Sequence, residues 1–202
     1  MKEEVYLRLL RGRVPETAEQ KLAWYAAQLQ RWAEKQSLVH VRSPEELVER
    51  HLLESLRPLP LLQKEGRLLD VGSGAGLPGL PLLCVLSDWT GVLLEPRRKK
   101  WAFLRQMIRE LGLQAEARLE RFEEHGGTGY SAICSRALAG QGKIVPWARP
   151  RLSPTGAVFL WATVREEEEL RVLSGWSVLG FEIDGLTRGR LIQMMPETGF
   201  RG

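Results

Sequence analysis

The segment Arg67-Leu68-Leu69-Asp70-Val71-Gly72-Ser73-Gly74-Ala75-Gly76 constrains this chain more than any other. A short apolar run, read as a buried strand, ends in alternating glycines. Glycine allows a positive φ and lets a ligand come close to the backbone. The next apolar stretch, Leu77 to Leu86, reads as a helix, with Pro78 and Pro81 tolerated in or near its first turn. A strand, a glycine turn and a helix in succession form one unit of a parallel sheet. In open parallel sheets ligands bind where strand ends and their connections diverge.

About 20 residues beyond Gly76, a second strand (Gly91-Val92-Leu93-Leu94-Glu95) ends in an acid that is placed to accept two hydrogen bonds from a ribose diol. Turn plus acid reads as an adenosine-binding site, and two cofactors use this layout. Gly74, Gly76 and Gly79 formally fit the dinucleotide fingerprint, but that match starts after the strand has ended and contains Pro78. Gly72, Gly74 and Gly76 are better placed, with Asp70 at the strand tip and Ser73 between the first two. This is the pattern of enzymes that use S-adenosylmethionine and release S-adenosylhomocysteine. Asp70 is then placed to meet the ammonium group of that ligand, directly or through water. The plain alternative is a glycine turn that serves only a tight corner between strand and helix.

The rest of the chain supplies the frame. Leu22, Tyr25, Ala26, Leu29, Trp32 and Ala33 recur at helical spacing from Thr17 to Lys35, and Ser43-Pro44-Glu45-Glu46 is a helix start for a segment running to about Leu56. Beyond the second strand, Arg97 to Leu111 reads as a helix closed by Gly112. Further strands are expected at Ala115–Arg118, Tyr130–Ser135 and Gly156–Trp161, then a helix at Arg165–Leu173 and a closing strand pair at Trp176–Ile183 and Arg190–Met195. The expectation is an α/β chain: a seven-stranded, mainly parallel sheet with helices on both faces, in the Rossmann-like class I S-adenosylmethionine-dependent methyltransferase fold. Residues 1–64 form an N-terminal helical extension, and residues 65–202 form the methyltransferase domain, one compact unit.

Composition excludes several classes. With 44% hydrophobic and 27% charged residues the chain has globular composition. No apolar run reaches the roughly 20 residues needed to span a bilayer, and no signal peptide is expected at Met1-Lys2-Glu3-Glu4. A cytoplasmic monomer with no membrane partner is expected. Cys84 and Cys134 lie in apolar runs as buried small hydrophobes, and no metal site is expected. Of the seven tryptophans, Trp89 sits in a polar turn and the others in periodic apolar contexts. The net charge of +4 permits a polyanionic partner.

The residues after the fourth strand narrow the reaction. Amino-group methylases carry an Asn- or Asp-Pro-Pro-aromatic tetrapeptide there, whereas this chain has Ser135-Arg136-Ala137-Leu138. Cys134, within the strand, reads as a buried thiol rather than the nucleophile of a cytosine methylase. Guanine N7 carries a lone pair and no proton, so its methylation needs alignment and no general base. Arg136 suits that positioning role, holding a cofactor carboxylate, a guanine edge or a phosphate. The alternative is a surface or salt-bridged arginine. Arg136→Ala is expected to lower activity with little loss of folding stability.

In these features the chain resembles a known family, the 16S ribosomal RNA guanine-N7 methyltransferases called RsmG or GidB. Gly76-Leu77-Pro78-Gly79-Leu80-Pro81 is similar to the family's G-[FL]-P-G-[IL]-P, and Arg50-His51-Leu52-Leu53-Glu54-Ser55 to its R-H-x-x-D-S. Trp32, Leu38 to Arg42, the stretch from Arg98 or Lys99 to Phe103-Leu104, Arg121 to Glu124, and Ser135-Arg136-Ala137 also match. The resemblance implies backbone contacts to the cofactor at Gly72, Leu77, Phe122 and Glu123, a side-chain contact at Arg136, and the ribose on Glu95. It implies a substrate in small-subunit ribosomal RNA, free or in an assembling 30S subunit. The chain departs from the family at Ala33, Ser37, Glu54 and Ala162, and in its short end, Phe200-Arg201-Gly202.

Arg97-Arg98-Lys99-Lys100 opens a helix, where cations oppose the dipole, so phosphate contact to RNA is a candidate use and a solvated face the alternative. His51 reads as a structural histidine of the lead-in, and His40 and His125 as loop residues. Glu166 to Glu169 is an acidic helix start that repels RNA. Two rivals stay open: a methyltransferase for another substrate, and a non-catalytic S-adenosylmethionine- or RNA-binding module of the same fold.

Overall fold

The structure, a computed structural model, describes residues 2–35, 41–136, 141–182 and 189–197. Seven strands form one sheet: β1 (Gly66–Val71), β2 (Trp89–Leu94), β3 (Ala115–Arg118), β4 (Tyr130–Arg136), β5 (Leu152–Thr163), β6 (Trp176–Glu182) and β7 (Gly189–Pro196). Their order is β3-β2-β1-β4-β5-β7-β6. The first five run parallel, and β7 lies antiparallel between β5 and β6. The order reverses at β1 and β4, and the glycine turn leaves the sheet at that switch point.

Helices cover both faces. The lead-in comprises α1 (Lys2–Leu10), α2 (Glu16–Lys35) and α3 (Pro44–Leu47), the last continuing as a π-helical turn over Val48–Leu53. Ser43 caps α3, its hydroxyl accepting from the Glu46 N–H at 3.1 Å. After β1 and β2 come α4 (Gly79–Val85) and α5 (Arg98–Leu111), and Gly112 closes α5 at φ +61°. Then α6 (Gln141–Ala148) follows β4, and α7 (Val164–Arg171) follows β5. One core cluster joins lead-in residues Tyr6, Leu22, Tyr25, Leu29 and Leu52 to Leu80, Phe103, Cys134, Phe159 and Leu191. A second, on the other face, joins Leu69, Val92, Ile133 and Val158 to Ile144, Val145 and Leu170. The lead-in thus shares an apolar core with α4, α5 and the sheet.

Four expectations change. The helix expected from Thr17 starts at Glu16. Helix α1 has no counterpart in the sequence pattern, because only Tyr6 and Leu10, one turn apart, are fully buried in that short charged stretch. Trp89 opens β2 and is buried, its indole N–H donating to the Gln63 carbonyl at 3.1 Å. The polar turn that masks it ends one residue earlier. Pro146 and Gly142 hide α6. Ser37, His40, Ala137 and the end from residue 198 lie outside the described residues.

Candidate active site

The turn after β1 is built from left-handed glycines, with φ of +72°, +58° and +94° at Gly72, Gly74 and Gly76. It is tied down on three sides. The Ser73 N–H donates to the Leu94 carbonyl of β2 at 2.9 Å, and the Ser73 hydroxyl to the Asp70 carbonyl at 3.0 Å. From the lead-in, the buried Tyr25 hydroxyl donates to the Ala75 carbonyl at 2.7 Å. Nothing in the sequence pattern marks Tyr25 as more than a core residue. Leu77 is half-buried at the end of the turn.

Glu95 is buried at the tip of β2. One carboxylate oxygen accepts from the Gly74 N–H at 2.9 Å and the other from the Arg97 N–H at 2.8 Å. Each oxygen keeps a second lone pair, so the residue can clamp the turn and still accept from a diol. Above Gly74 there is room: a Cβ placed there would lie 3.7 Å from the Gly72 carbonyl oxygen and 3.8 Å from Lys100 Nζ. Lys100 therefore leans over the turn. Arg97, Arg98 and Lys99 are exposed at the start of α5, so the basic run does not act as one patch at this site.

Asp70 is fully buried. One oxygen accepts from the Gly79 N–H at 3.1 Å, and a Cβ on Gly79 would fall 2.6 Å from that oxygen. The other oxygen, Oδ1, has no partner among the described residues. Burial pushes the Asp70 carboxyl up to about 7, and the charge of Glu95 adds to this, against the hydrogen bond from Gly79 and the nearby Ser73 hydroxyl. The pKa is raised on folding, so the folded chain holds a proton that the unfolded chain loses above about pH 4. The stability this protonation contributes is complete below that pH and disappears as pH rises through about 7. Asp70→Asn is therefore expected to stabilise the chain at pH 8 and to give little gain at pH 4, read as the difference in melting temperature.

Beside Gly72 a cavity of about 220 Å³ is lined by Leu94, Pro96, Glu120, Arg121, Phe122 and Glu123. The last two sit on a 3₁₀ turn, and the Phe122 ring meets Trp147 edge-on at 5.2 Å. Arg121 belongs to the segment that the resemblance places around the adenine, whereas Glu120 is missed by sequence reasoning as a lining residue. They precede the Phe122-Glu123 pair that the resemblance assigns to the cofactor.

Arg136 ends β4 but turns toward the lead-in. Its guanidinium donates to the Arg50 carbonyl, the His51 carbonyl (3.3 Å), the Ser55 hydroxyl (3.3 Å) and a Glu54 oxygen (2.7 Å). Trp161, its partner across to β5, donates its indole N–H to the Glu54 carbonyl at 3.0 Å. Burial pushes the Glu54 carboxyl up, against the pull of the Arg136 charge. The guanidinium and Glu54 form a pair whose side chains are 17% and 8% exposed. The expectation that Arg136→Ala leaves stability intact is thus revised, because Arg136 docks the lead-in whatever else it touches. Cys134 is buried in β4, where burial holds its thiol well above the ordinary range and keeps it protonated. Among the described residues no cluster of His, Cys, Asp and Glu could hold a metal, and no helix is long and apolar enough to cross a membrane.

Residues 18–180 match the family described as GidB, rRNA small subunit methyltransferase G. The chain is 37% identical over 185 residues to the ribosomal RNA small subunit methyltransferase G of Alkalilimnicola ehrlichii, covering 88% of this chain and 83% of that protein. It is 36% identical to the protein of the same description from Sodalis glossinidius, covering 88% and 89%. In fold it is similar to a methyltransferase from Geobacter sulfurreducens (TM-score 0.63, 15% identity, 93% and 95% covered). It is also similar to M. jannaschii TYW2, solved in complex with AdoMet (TM-score 0.59, 12% identity, 71% and 74% covered).

Proposed function

The chain belongs to the rRNA small subunit methyltransferase G family, and from that premise we propose that it transfers a methyl group from S-adenosylmethionine to N7 of a guanine in small-subunit ribosomal RNA. The substrate is the free RNA or the assembling 30S subunit, and the protein works as a cytoplasmic monomer. The observation that carries the cofactor half is the glycine turn, with open space over Gly74 and, beneath it, a buried Asp70 oxygen that has no partner among the described residues. An ammonium group at the turn, directly or through water, would give that oxygen the donor it lacks. The Glu95 lone pairs would take the ribose and the cavity at Phe122 the base.

S-adenosylmethionine supplies an electrophilic methyl group. Guanine N7 has a free lone pair and loses no proton, so no side chain has to act as general base. The work left to the protein is alignment and exclusion of water. Gly72, Gly74 and Gly76 let the backbone approach the ligand, with Ser73 and Leu77 framing them. Lys100 over the turn and Arg136 at the end of β4 offer positive charge to a carboxylate or phosphate. Arg97, Arg98 and Lys99, exposed at the start of α5, offer the same to RNA.

Incubating the purified chain with tritiated S-adenosylmethionine and either protein-free 16S RNA or 30S subunits tests this. The label is expected in N7-methylguanosine after nuclease digestion. Label in another nucleoside would refute the N7 assignment, and no label with either substrate would refute the RNA reading.

A further inference from the structure

The loop after β3 is held by a chain of three polar side chains, of which His125 and Tyr130 are buried. His125 is 1% exposed. Its Nδ1 lies 2.6 Å from a Glu120 carboxylate oxygen and its Nε2 lies 2.7 Å from the Tyr130 hydroxyl. An ionised carboxylate only accepts, so Nδ1 carries the hydrogen, and in the neutral ring Nε2 accepts from the Tyr130 O–H. Both ring nitrogens are satisfied, and Glu120 is held in one orientation.

The surrounding backbone is pinned as well. Arg151 donates twice to the His125 carbonyl, at 3.1 and 2.9 Å, and the His125 N–H donates to the Phe122 carbonyl at 3.1 Å. No side chain would fit at Gly127, where a Cβ would lie 2.5 Å from His125 Nε2 and 2.6 Å from the Tyr130 hydroxyl. An apolar residue at 125 would plug this site without the desolvation cost of imidazole, phenol and carboxylate. What the polar chain adds is direction, and it ends at Glu120, a lining residue of the cavity at Gly72 and Phe122.

We propose that His125 is a positioning residue: through the chain Tyr130–His125–Glu120 it aims the Glu120 carboxylate into the cavity, where Glu120 selects a 6-aminopurine over a 6-oxopurine. This rests on the reading that the cavity takes the adenine of S-adenosylmethionine. The exocyclic amine is the donor on that base edge, and a carboxylate is its complement. A 6-oxo group presents an acceptor where the amine presents a donor, so the 6-oxopurine loses this hydrogen bond and keeps only the displaced N1–H as a donor on that edge.

Calorimetric titration with S-adenosylhomocysteine and with S-inosylhomocysteine, its 6-oxo counterpart, reads this selection without catalysis. The intact chain is expected to favour the amino ligand by roughly 10- to 100-fold, the range of a hydrogen bond to a charged group. Glu120→Ala and His125→Phe are each expected to bring the ratio to within about 3-fold, with Tyr130→Phe in between. Glu120 is partly exposed, and Arg67 stacks over the Tyr130 ring at 4.6 Å, so those two variants keep the test available if His125→Phe does not fold. A full ratio in Glu120→Ala overturns the selection. A collapsed ratio in Glu120→Ala with a full ratio in His125→Phe, or in Tyr130→Phe where His125→Phe is unfolded, overturns the positioning role. If the intact chain binds neither ligand, the underlying cofactor reading fails as well. Binding both equally refutes the selection alone.

Discussion

Gly74→Val is expected to fold and to lose S-adenosylhomocysteine binding by at least about 100-fold, close to 2.7 kcal/mol. The two halves of this result have separate causes. A Cβ at Gly74 has no neighbour nearer than 3.7 Å, so it meets only ordinary contacts, and the nearest side chain is the flexible end of Lys100 at 3.8 Å. The backbone there has φ +58°, which costs a β-branched residue about 1–2 kcal/mol, a loss the fold can absorb. The space it fills is the space a ligand on the turn needs. Gly76→Ala is the contrasting control. Its Cβ would lie 2.7 Å from Leu80 Cγ and 3.2 Å from Leu104 Cδ2, at φ +94°. Overpacking and backbone strain together are expected to cost about 3 kcal/mol of stability. On the proposed reading one turn holds a glycine kept for the ligand and a glycine kept for the packing. Thermal melts and calorimetry on the two variants separate them, and equal ligand affinity in Gly74→Val and the unaltered chain would contradict the placement of the pocket.

Arg136→Ala is expected to lower the melting temperature by roughly 6–12 °C, the equivalent of about 3 kcal/mol in a chain of this size. Truncation leaves Glu54 as a buried charge without its partner, and leaves the carbonyls of Arg50 and His51 and the Ser55 hydroxyl without the donor that docks the lead-in. Removing both charges together, in Arg136→Met with Glu54→Leu, is expected to recover most of the loss, because no buried charge is then left alone. If the recovered double variant is also fully active, the guanidinium serves docking only. If its activity is lost while its melting temperature is restored, Arg136 also positions ligand. A single Arg136→Ala variant that melts like the unaltered chain would contradict the docking role.

The glycine turn, Glu95, the helix start at Ser43-Pro44 and the end of α5 at Gly112 are legible in the sequence because each is a local requirement. A left-handed φ, a cap or an acid at a strand tip is written in adjacent residues. The alternation of strands and helices and the closing strand pair are legible for the same reason, whereas the antiparallel direction of that pair is seen only in the structure. Long-range polar contacts are not. Arg136 and Glu54 are 82 residues apart in the chain, and Tyr25 and Ala75 are 50 apart. In sequence Tyr25 is one more apolar position of an amphipathic helix, and only packing reveals that its hydroxyl reaches the glycine turn. His125 sits among glycines and acids and reads as a loop, yet it is buried between Glu120 and Tyr130. The run Arg97 to Lys100 looks uniform, whereas the helix sends Lys100 over Gly74 and leaves the other three exposed. Departures from the family also change meaning in three dimensions. Glu54 in place of Asp keeps the charge that holds Arg136.

The proposed reaction is tested most directly by mass spectrometry of small-subunit ribosomal RNA from a strain lacking this chain and from its parent, with a copy carrying Gly74→Val returned to the first. N7-methylguanosine at one position of the RNA is expected to be present in the parent, absent from the deletion strain, restored by the unaltered gene and not restored by Gly74→Val. An unchanged amount of N7-methylguanosine in the deletion strain would contradict the assignment.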